Sequence, residues 1–463
     1  MPGEFSAELS QAAEDAAKNP QKAQREDFRN LDFITIDGAD ARDFDDAVRC
    51  TPLPGGGFCL QTAIADVAAF VLPGSPLDEE ARRRGNSVYL PDRVLPMLPA
   101  ALSNGACSLS PDEDKLCLFC EMEIRGGEIE KYRFARGVMR SQRRTTYEEA
   151  AAEMSGKLHP LSAVAQELKQ TRQKRGAFIM EIPEMRAVVS DSGVPELLEI
   201  RRNEAHIAVE ECMIAANRCA ADFVISRELP ALHRIHRKPA AESLENLRRA
   251  LRPLGIDFPA HPAAGDFSAA LEAVSAKDEA LAGCFLPVLL GALARAEYAP
   301  DEKTGHFGLS CARYLHFTSP IRRYPDLLAH RAVIAGIAGQ KNAAEDLSEI
   351  GAHCSQTEIA ADKAGWECRQ RLLCLRAADK IGEEYEVAVS GVTHFGVFVA
   401  AAELGADGLM RFSSLPGYWE YNAGLRRATH RASGRVLELG SRLRARLSAV
   451  SPEKGRADFI PVE

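Results

Sequence analysis

At 463 residues the chain exceeds what one compact core buries, so a large domain with one or two small ones is expected. Hydrophobic content of 46% and charged content of 27% exclude a disordered or fibrous protein. The net charge of −9 argues against a generally basic nucleic-acid binder but leaves room for a local basic channel.

Residues 1–30 read as a helical, solvated lead-in broken at Pro20, with no signal-peptide pattern. Next comes Phe33-Ile-Thr-Ile36, a short buried strand that ends at the turn Asp37-Gly38. Asp40, Asp43, Asp45 and Asp46 follow, with only Arg42 as a nearby cation. Carboxylates this crowded, if they converge, must take up protons or gather about a divalent cation. Oxygen-only ligands favour Mg²⁺ or Mn²⁺ over Zn²⁺, and carboxylate-held Mg²⁺ serves phosphate-ester cleavage. The same residues also suit a solvated loop or a helix N-cap. An EF-hand is excluded, because Gly at the sixth and Glu at the twelfth position are missing.

The glycines at 55–57 turn the chain into a second strand over 58–67, paired with 45–50. A charged helix is predicted over 76–84, then an extended piece over 85–91, and a strand pair over 116–124 and 128–139. Of twelve scattered cysteines, Cys117 and Cys120 make the only C-x-x-C; on a strand they face opposite ways, as core thiols would. From Thr145 the rhythm is helical, with helices expected at 196–229, 241–254, 267–282, 285–296, 325–338 and 343–376. Residues 284–296 are the most apolar of these stretches, but they are too short for a bilayer and contain Pro287. After Ala378 the strict alternation of 384–399 and the short strands at 408–415 and 442–450 predict a small closed β-barrel. Strands first and helices later give an α+β class.

Phe317 to Arg331 is the second signal. Ser319-Pro320 reads as an N-cap followed by Pro at the first helical position, putting Arg322 and Arg323 in a first turn suited to anions. Ordinary salt bridges to Asp326 or Glu302 are the alternative. An acid cluster with helix-start arginines is what phosphodiester hydrolysis requires.

Together, T-I-D-G-A-D-A-R-D-F-D-D-A, N-S-V-Y-L-P, L-P-M-L-P, E-E-C-M-I-A-A-N, H-F-G-L and H-F-T-S-P-I-R-R-Y-P-D-L resemble the RNB (ribonuclease II/R) family of exoribonucleases. They stand in the family's order across residues 31–376. The R-x-H-R-K-P stretch at 234–239 and the terminal barrel bring the resemblance closest to the ribonuclease R branch. G-V-T-H-F-G-V-F-V and G-L-M-R-F-S-S-L resemble an S1 (OB-fold) domain.

The resemblance implies an RNB catalytic domain around an RNA channel at 31–378 and an S1 domain at 379–463. It implies a Mg²⁺-dependent, processive 3′→5′ hydrolysis of single-stranded RNA to nucleoside 5′-monophosphates. The scattered core thiols and the lack of a signal-peptide pattern lead us to expect a cytoplasmic protein, taken as a monomer. Asp37 and Asp46 would ligate metal, with Asp43 supporting them or holding a second ion. Asp45 would be tied to the chemical step, and Arg322, with Arg323 beside it, would contact phosphate. Tyr89 would stack on the 3′-terminal base, with Phe178 or Met180 as the opposing clamp. Glu211 or Glu210 would reach the terminal ribose, unless they lie on a solvated helix face. Phe395, with His394 and Phe398, would stack on bases in the barrel, Phe398 being equally a core residue. The barrel's arginines (426, 427, 431, 435, 442, 444 and 446) make a basic face plausible. Relatives of this branch normally carry cold-shock barrels ahead of the acids. Whether the sequence is a piece of a longer protein or a naturally short member, RNA binding by residues 1–463 is expected to be weaker and more salt-sensitive than that of a full-length relative.

A non-catalytic RNA clamp would show a lost aspartate, and none is lost. A phosphatase of the haloacid dehalogenase type would need an acid where Ala39 stands.

Overall fold

Side-chain alternation builds the central sheet. The computed structural model describes residues 3–180, 184–189, 195–341, 346–423 and 425–462. Its N-terminal part contains β1 (Glu26–Asp27), β2 (Ile34–Asp37), β3 (Asp46–Pro52), β4 (Phe58–Ala65), β5 (Val88–Tyr89) and β6 (Val94–Leu95). These are followed by β7 (Asp114–Arg125), β8 (Glu128–Arg140) and β9 (Arg143–Thr146). Seven of them form one sheet in the order β1-β8-β7-β4-β3-β2-β9, while β5 and β6 pair separately. Both faces of the sheet are covered, so successive residues alternate between two cores. Ile34, Ile36, Val48, Leu118 and Cys120 enter one core; Phe33, Ala47, Cys117 and Phe119 enter the other. Cys117 and Cys120 are thus buried back to back, and all twelve cysteines are free thiols.

The helices α1 (Ala7–Lys18), α2 (Pro76–Arg84), α3 (Tyr147–Glu153) and α4 (His159–Lys174) start where local chemistry dictates. Ser6 and Ser75 cap the first two, and Thr146 with Glu149 forms a capping box for α3. The helix expected over 196–229 begins later. Pro195–Ile200 is a strand paired antiparallel with Glu184–Val189, and α5 (Glu204–Ser226) starts at the Asn203 cap. Leu197 and Leu198 fit either period, and pairing with a neighbouring strand decided between them.

Beyond lie α6 (Ala241–Leu251), α7 (Ala264–Ser275), α8 (Glu279–Ala292, containing Pro287), α9 (Tyr324–Ile337) and α10 (Leu347–Ala377). The first positions of the helix expected at 343–376 lie outside the described residues. A closed barrel follows, made of 384–392, 396–401, 406–411, 442–451 and 456–461. Its core includes Val387, Val397, Met410 and Phe459. Gly396 allows close strand approach, since a Cβ there would stand 2.4 Å from the Met410 carbonyl oxygen. Among the described residues no helix is long and apolar enough to cross a membrane. The molecule is therefore α+β, a mixed helix-and-strand body followed by a five-stranded barrel.

Candidate active site

The acids gather at one end of the sheet because β2 ends in Asp37 and its antiparallel neighbour β3 begins at Asp46. The loop between them is pinned on several sides. The Phe44 amide donates to Ser108 Oγ (3.0 Å), whose hydroxyl donates to the Arg42 carbonyl (2.8 Å). Ala65 N–H donates to the Asp45 carbonyl (2.8 Å), and Arg144 donates to the carbonyls of Gly38 (2.8 Å) and Ala39. Phe44 and Asp45 are buried, while Asp43 is partly exposed. Asp40 points to solvent and stays outside the cluster.

A second segment closes over this end. Residues 319–323 form a turn, with the Arg323 amide donating to the Ser319 carbonyl at 3.0 Å. The helix begins only at Tyr324, with Arg323 at the N-cap, so Ser319 is not the cap expected from its Ser-Pro signature. Tertiary contacts explain the shift: Ser319 N–H donates to the buried Asp326 carboxylate (2.8 Å), and Ile321 N–H donates to Asp45 Oδ1 (2.8 Å). The Ser319 hydroxyl, which a cap would offer to a helix amide, accepts from Arg322 instead.

The three arginines of this segment diverge. Arg322 Nε stands 3.4 Å from Asp45 Oδ2, and Arg322 also donates to Ser319 Oγ at 3.2 Å. Arg323 pairs with Asp326 at 2.7 Å, the ordinary salt bridge weighed as an alternative. Arg331 turns away to Asp78 (2.7 Å) on α2.

Burial dominates the electrostatics. Desolvation pushes Asp45 well above the usual carboxylate range, against the pull of Arg322. Desolvation and the Asp46 charge push Asp37 up to about 8, and burial lifts Asp46 to about 6. Asp37 Oδ2 and Asp45 Oδ2 are buried without a hydrogen-bond partner. Buried oxygens left unpaired among like charges call for a cation, and an all-oxygen set suits a hard divalent one. Among the described residues no three acidic, His or Cys side chains form a closed ion cage. Asp43 is drawn off by Tyr89, whose hydroxyl donates to its Oδ2 at 2.8 Å. The donor set fits a divalent cation in the chemistry of its oxygens.

Tyr89 is 47% exposed and lines a cleft of about 750 Å³ together with Arg322 and Arg323. Phe178 and Met180 both line a different cavity of about 500 Å³, beside Glu210 and Arg172. Glu211 is buried, which removes the solvated-face reading for it; its Oε1 accepts from Arg172 Nε at 3.0 Å. Phe395 is 43% exposed and Phe398 40%, their rings edge-to-face at 6.3 Å, so Phe398 is not core. Four of the seven barrel arginines are ion-paired: Arg431 with Glu420, Arg442 with Asp278, and Arg444 and Arg446 with the single carboxylate of Glu384.

Three contributors escaped the sequence reading. Tyr147 follows Thr146, which pairs with Asp37; the Asp37 and Asp46 charges act on its hydroxyl, and its ring stacks on His206 at 3.8 Å. Arg144, the second residue of β9, is the clamp of the acid loop. Arg172 bridges Glu210 and Glu211. Only their adjacency to a strand end or a buried acid marks them, and neither is visible in one dimension. Arg144→Ala is expected to weaken divalent-cation binding roughly tenfold by releasing the loop, as titration calorimetry would register.

The RNB domain family matches residues 25–339. The chain is 39% identical to ribonuclease R of Escherichia coli over 95% of this chain and 57% of that protein. It thus spans somewhat over half the length of that curated relative. The structure is similar to Mycoplasma genitalium RNase R in complex with ribose-methylated single-stranded RNA, with TM-score 0.92 and 27% identity, covering 100% of this chain and 76% of that one. It shares its fold with yeast Ssd1, a pseudonuclease, at TM-score 0.73 and 18% identity over 89% of this chain and 54% of that one. With acids, arginine turn and sheet in the order its motifs predict, the chain belongs to the RNB family.

Proposed function

We propose that this protein is a Mg²⁺-dependent, processive 3′→5′ exoribonuclease that hydrolyses single-stranded RNA, and 3′-tailed structured RNA, to nucleoside 5′-monophosphates. The observation that carries the reading is the guanidinium of Arg322, 3.4 Å from the buried Asp45 carboxylate, among acids of which Asp37 keeps a buried oxygen without a hydrogen-bond partner. The likeness to ribonuclease R relatives, one solved with single-stranded RNA, supports the substrate class.

Asp37, Asp46 and Asp43 would hold Mg²⁺, with Mn²⁺ able to substitute. Bound there, the ion supplies Lewis-acid activation of water and of the phosphoryl group. Asp45, held by the Ile321 amide, orients Arg322 and keeps a carboxylate beside the reacting phosphate. Arg322 offsets charge that develops on the phosphoryl oxygens. Tyr89 supports the 3′-terminal base and reads the state of Asp43 through its hydroxyl. Glu210, with Glu211 behind it, and Phe178 line the approach of the strand. Residues 31–378 form the catalytic domain and 379–463 the S1 domain of a cytoplasmic monomer, in which Phe395 and Phe398 meet incoming bases.

Incubation with 5′-labelled single-stranded RNA and Mg²⁺ should release mononucleotides and leave a limit product of a few nucleotides. Persistence of full-length RNA, or degradation indifferent to EDTA, would refute the reading. Replacing Phe395 and Phe398 together by Ala is expected to weaken RNA binding roughly tenfold or more, since each stacked base is worth about 1–3 kcal/mol. Both rings are exposed, so melting temperature should hardly move. Fluorescence anisotropy across a salt series would show unchanged affinity if the barrel face is idle.

A further inference from the structure

The segment that brings Arg322 to the acids is not part of a sheet: residues 314–320 lie in no strand or helix. We propose that Asn217 of α5 and His330 of α9, which hold the Phe317 peptide at its two polar groups, are positioning residues that fix Arg322 over Asp45. The inference rests on the exoribonuclease reading for what Arg322 does there.

Buried backbone amides outside a ladder or helix must find other acceptors. Those of Phe317, Ser319 and Ile321 all end on side chains, supplied by three separate parts of the fold. Asp45 of the acid loop holds Ile321, and Asp326 of α9 holds Ser319. Phe317 is held twice. Its N–H donates to Asn217 Oδ1 at 2.8 Å, and its carbonyl accepts from His330 Nε2 at 2.7 Å. A carbonyl only accepts, so Nε2 carries the ring hydrogen. Burial pushes His330 below the usual histidine range, which suits this neutral ring.

Both holders are themselves fixed. Asn217 is 3% exposed, and its Nδ2 donates to Tyr314 Oη at 3.0 Å, which leaves Oδ1 to face Phe317. His330 is fully buried, with its ring centroid 4.5 Å from that of Phe317. The Phe317 ring also meets Phe134 of β8 edge-on at 5.4 Å.

A remote grip matters because of the side chain it serves. The Arg322 side chain is 46% exposed, and it leans on Ser319 Oγ, which belongs to the same segment. A slide of the segment therefore moves the root of the guanidinium and the hydroxyl that aims it together. Misplacing reacting groups by about 1 Å costs on the order of 10²-fold in rate.

Asn217→Ala and His330→Leu are each expected to lower single-turnover RNA hydrolysis roughly tenfold or more, with RNA affinity in EDTA changed by less than about threefold. Glutamine places its amide nitrogen where His330 has Nε2, so His330→Gln should recover most of the loss. In an Arg322→Ala background, Asn217→Ala should cost less than about twofold more, because the group it positions is gone. Equal losses with and without Arg322 would make Asn217 a core polar residue and overturn the proposal. Should Asn217→Ala not fold, His330→Leu and His330→Gln run through the same cycle. Amide hydrogen exchange resolved to single residues needs no catalysis: in Asn217→Ala it should quicken roughly tenfold or more at Ser319 and Ile321 as well as at Phe317. Quickening confined to Phe317 would also overturn the proposal. RNA hydrolysis that Asn217→Ala leaves at the parent rate would sink this inference alone. Exchange that spreads to Ile321 in a chain whose parent leaves RNA intact would uphold the positioning and sink the exoribonuclease reading.

Discussion

Asp45→Asn is expected to lower RNA hydrolysis by roughly 10³-fold while leaving RNA affinity and folding nearly unchanged. The amide keeps an oxygen for the Ile321 N–H, so the turn that presents Arg322 stays in place. What disappears is the negative charge opposite the guanidinium, at a carboxylate only 3% exposed. Removing a buried charge relieves its desolvation but leaves Arg322 facing a neutral partner, and the two effects on stability oppose each other. RNA affinity should hold or rise, because one anion fewer faces the phosphates. Single-turnover kinetics with saturating enzyme separate these quantities. Turnover within tenfold of the parent protein would remove Asp45 from the chemical step.

Stabilisation by Mg²⁺ is expected to grow with pH, from a small shift in melting temperature near pH 5.5 to a shift of roughly several degrees near pH 8.5. Without the cation, burial and mutual repulsion raise Asp37 to about 8 and Asp46 to about 6. In the unfolded chain both return to about 4. Between those values the folded state holds protons that the unfolded state has lost, so the cation-free protein loses stability as pH rises from about 4 through 8. A divalent ion binds the deprotonated acids and reverses that loss in the same window, releasing protons as it binds. Buried histidines such as His306, pushed down to about 3 by desolvation, contribute an opposite slope, with stability falling as pH drops below about 6.5. Comparing plus and minus Mg²⁺ at each pH cancels their contribution. A Mg²⁺ shift independent of pH would mean that Asp37 and Asp46 are not the groups that meet the ion.

Much of the architecture was legible because it is local. The 76–84 helix appears with its Ser75 cap, its Pro at the first turn and Gly85 at φ 71° closing it. The hairpin of β3 and β4, the long pair of β7 and β8, and the barrel follow from period-two alternation between glycine turns. The misreadings occurred where two local signals competed. Residues 195–200 satisfied helix and strand periods alike, and Ser319-Pro320 carried a cap signature whose hydroxyl is taken by Arg322 while Asp326 and Asp45 hold the amides of the turn.

The sequence by itself determined that a strand would end at Asp37, that four acids would crowd the turn behind it, and that arginines would cluster at 322–331. Spacing and turn chemistry act over a few residues, and a single chain displays them in full. Which guanidinium meets which acid was decided only by the tertiary structure. Arg322 and Arg323 are adjacent, yet one faces Asp45 from far along the chain and the other folds back onto Asp326. Long, flexible side chains take their partners from whatever the packed sheet and turn bring within reach, and that set exists only once the two segments have met.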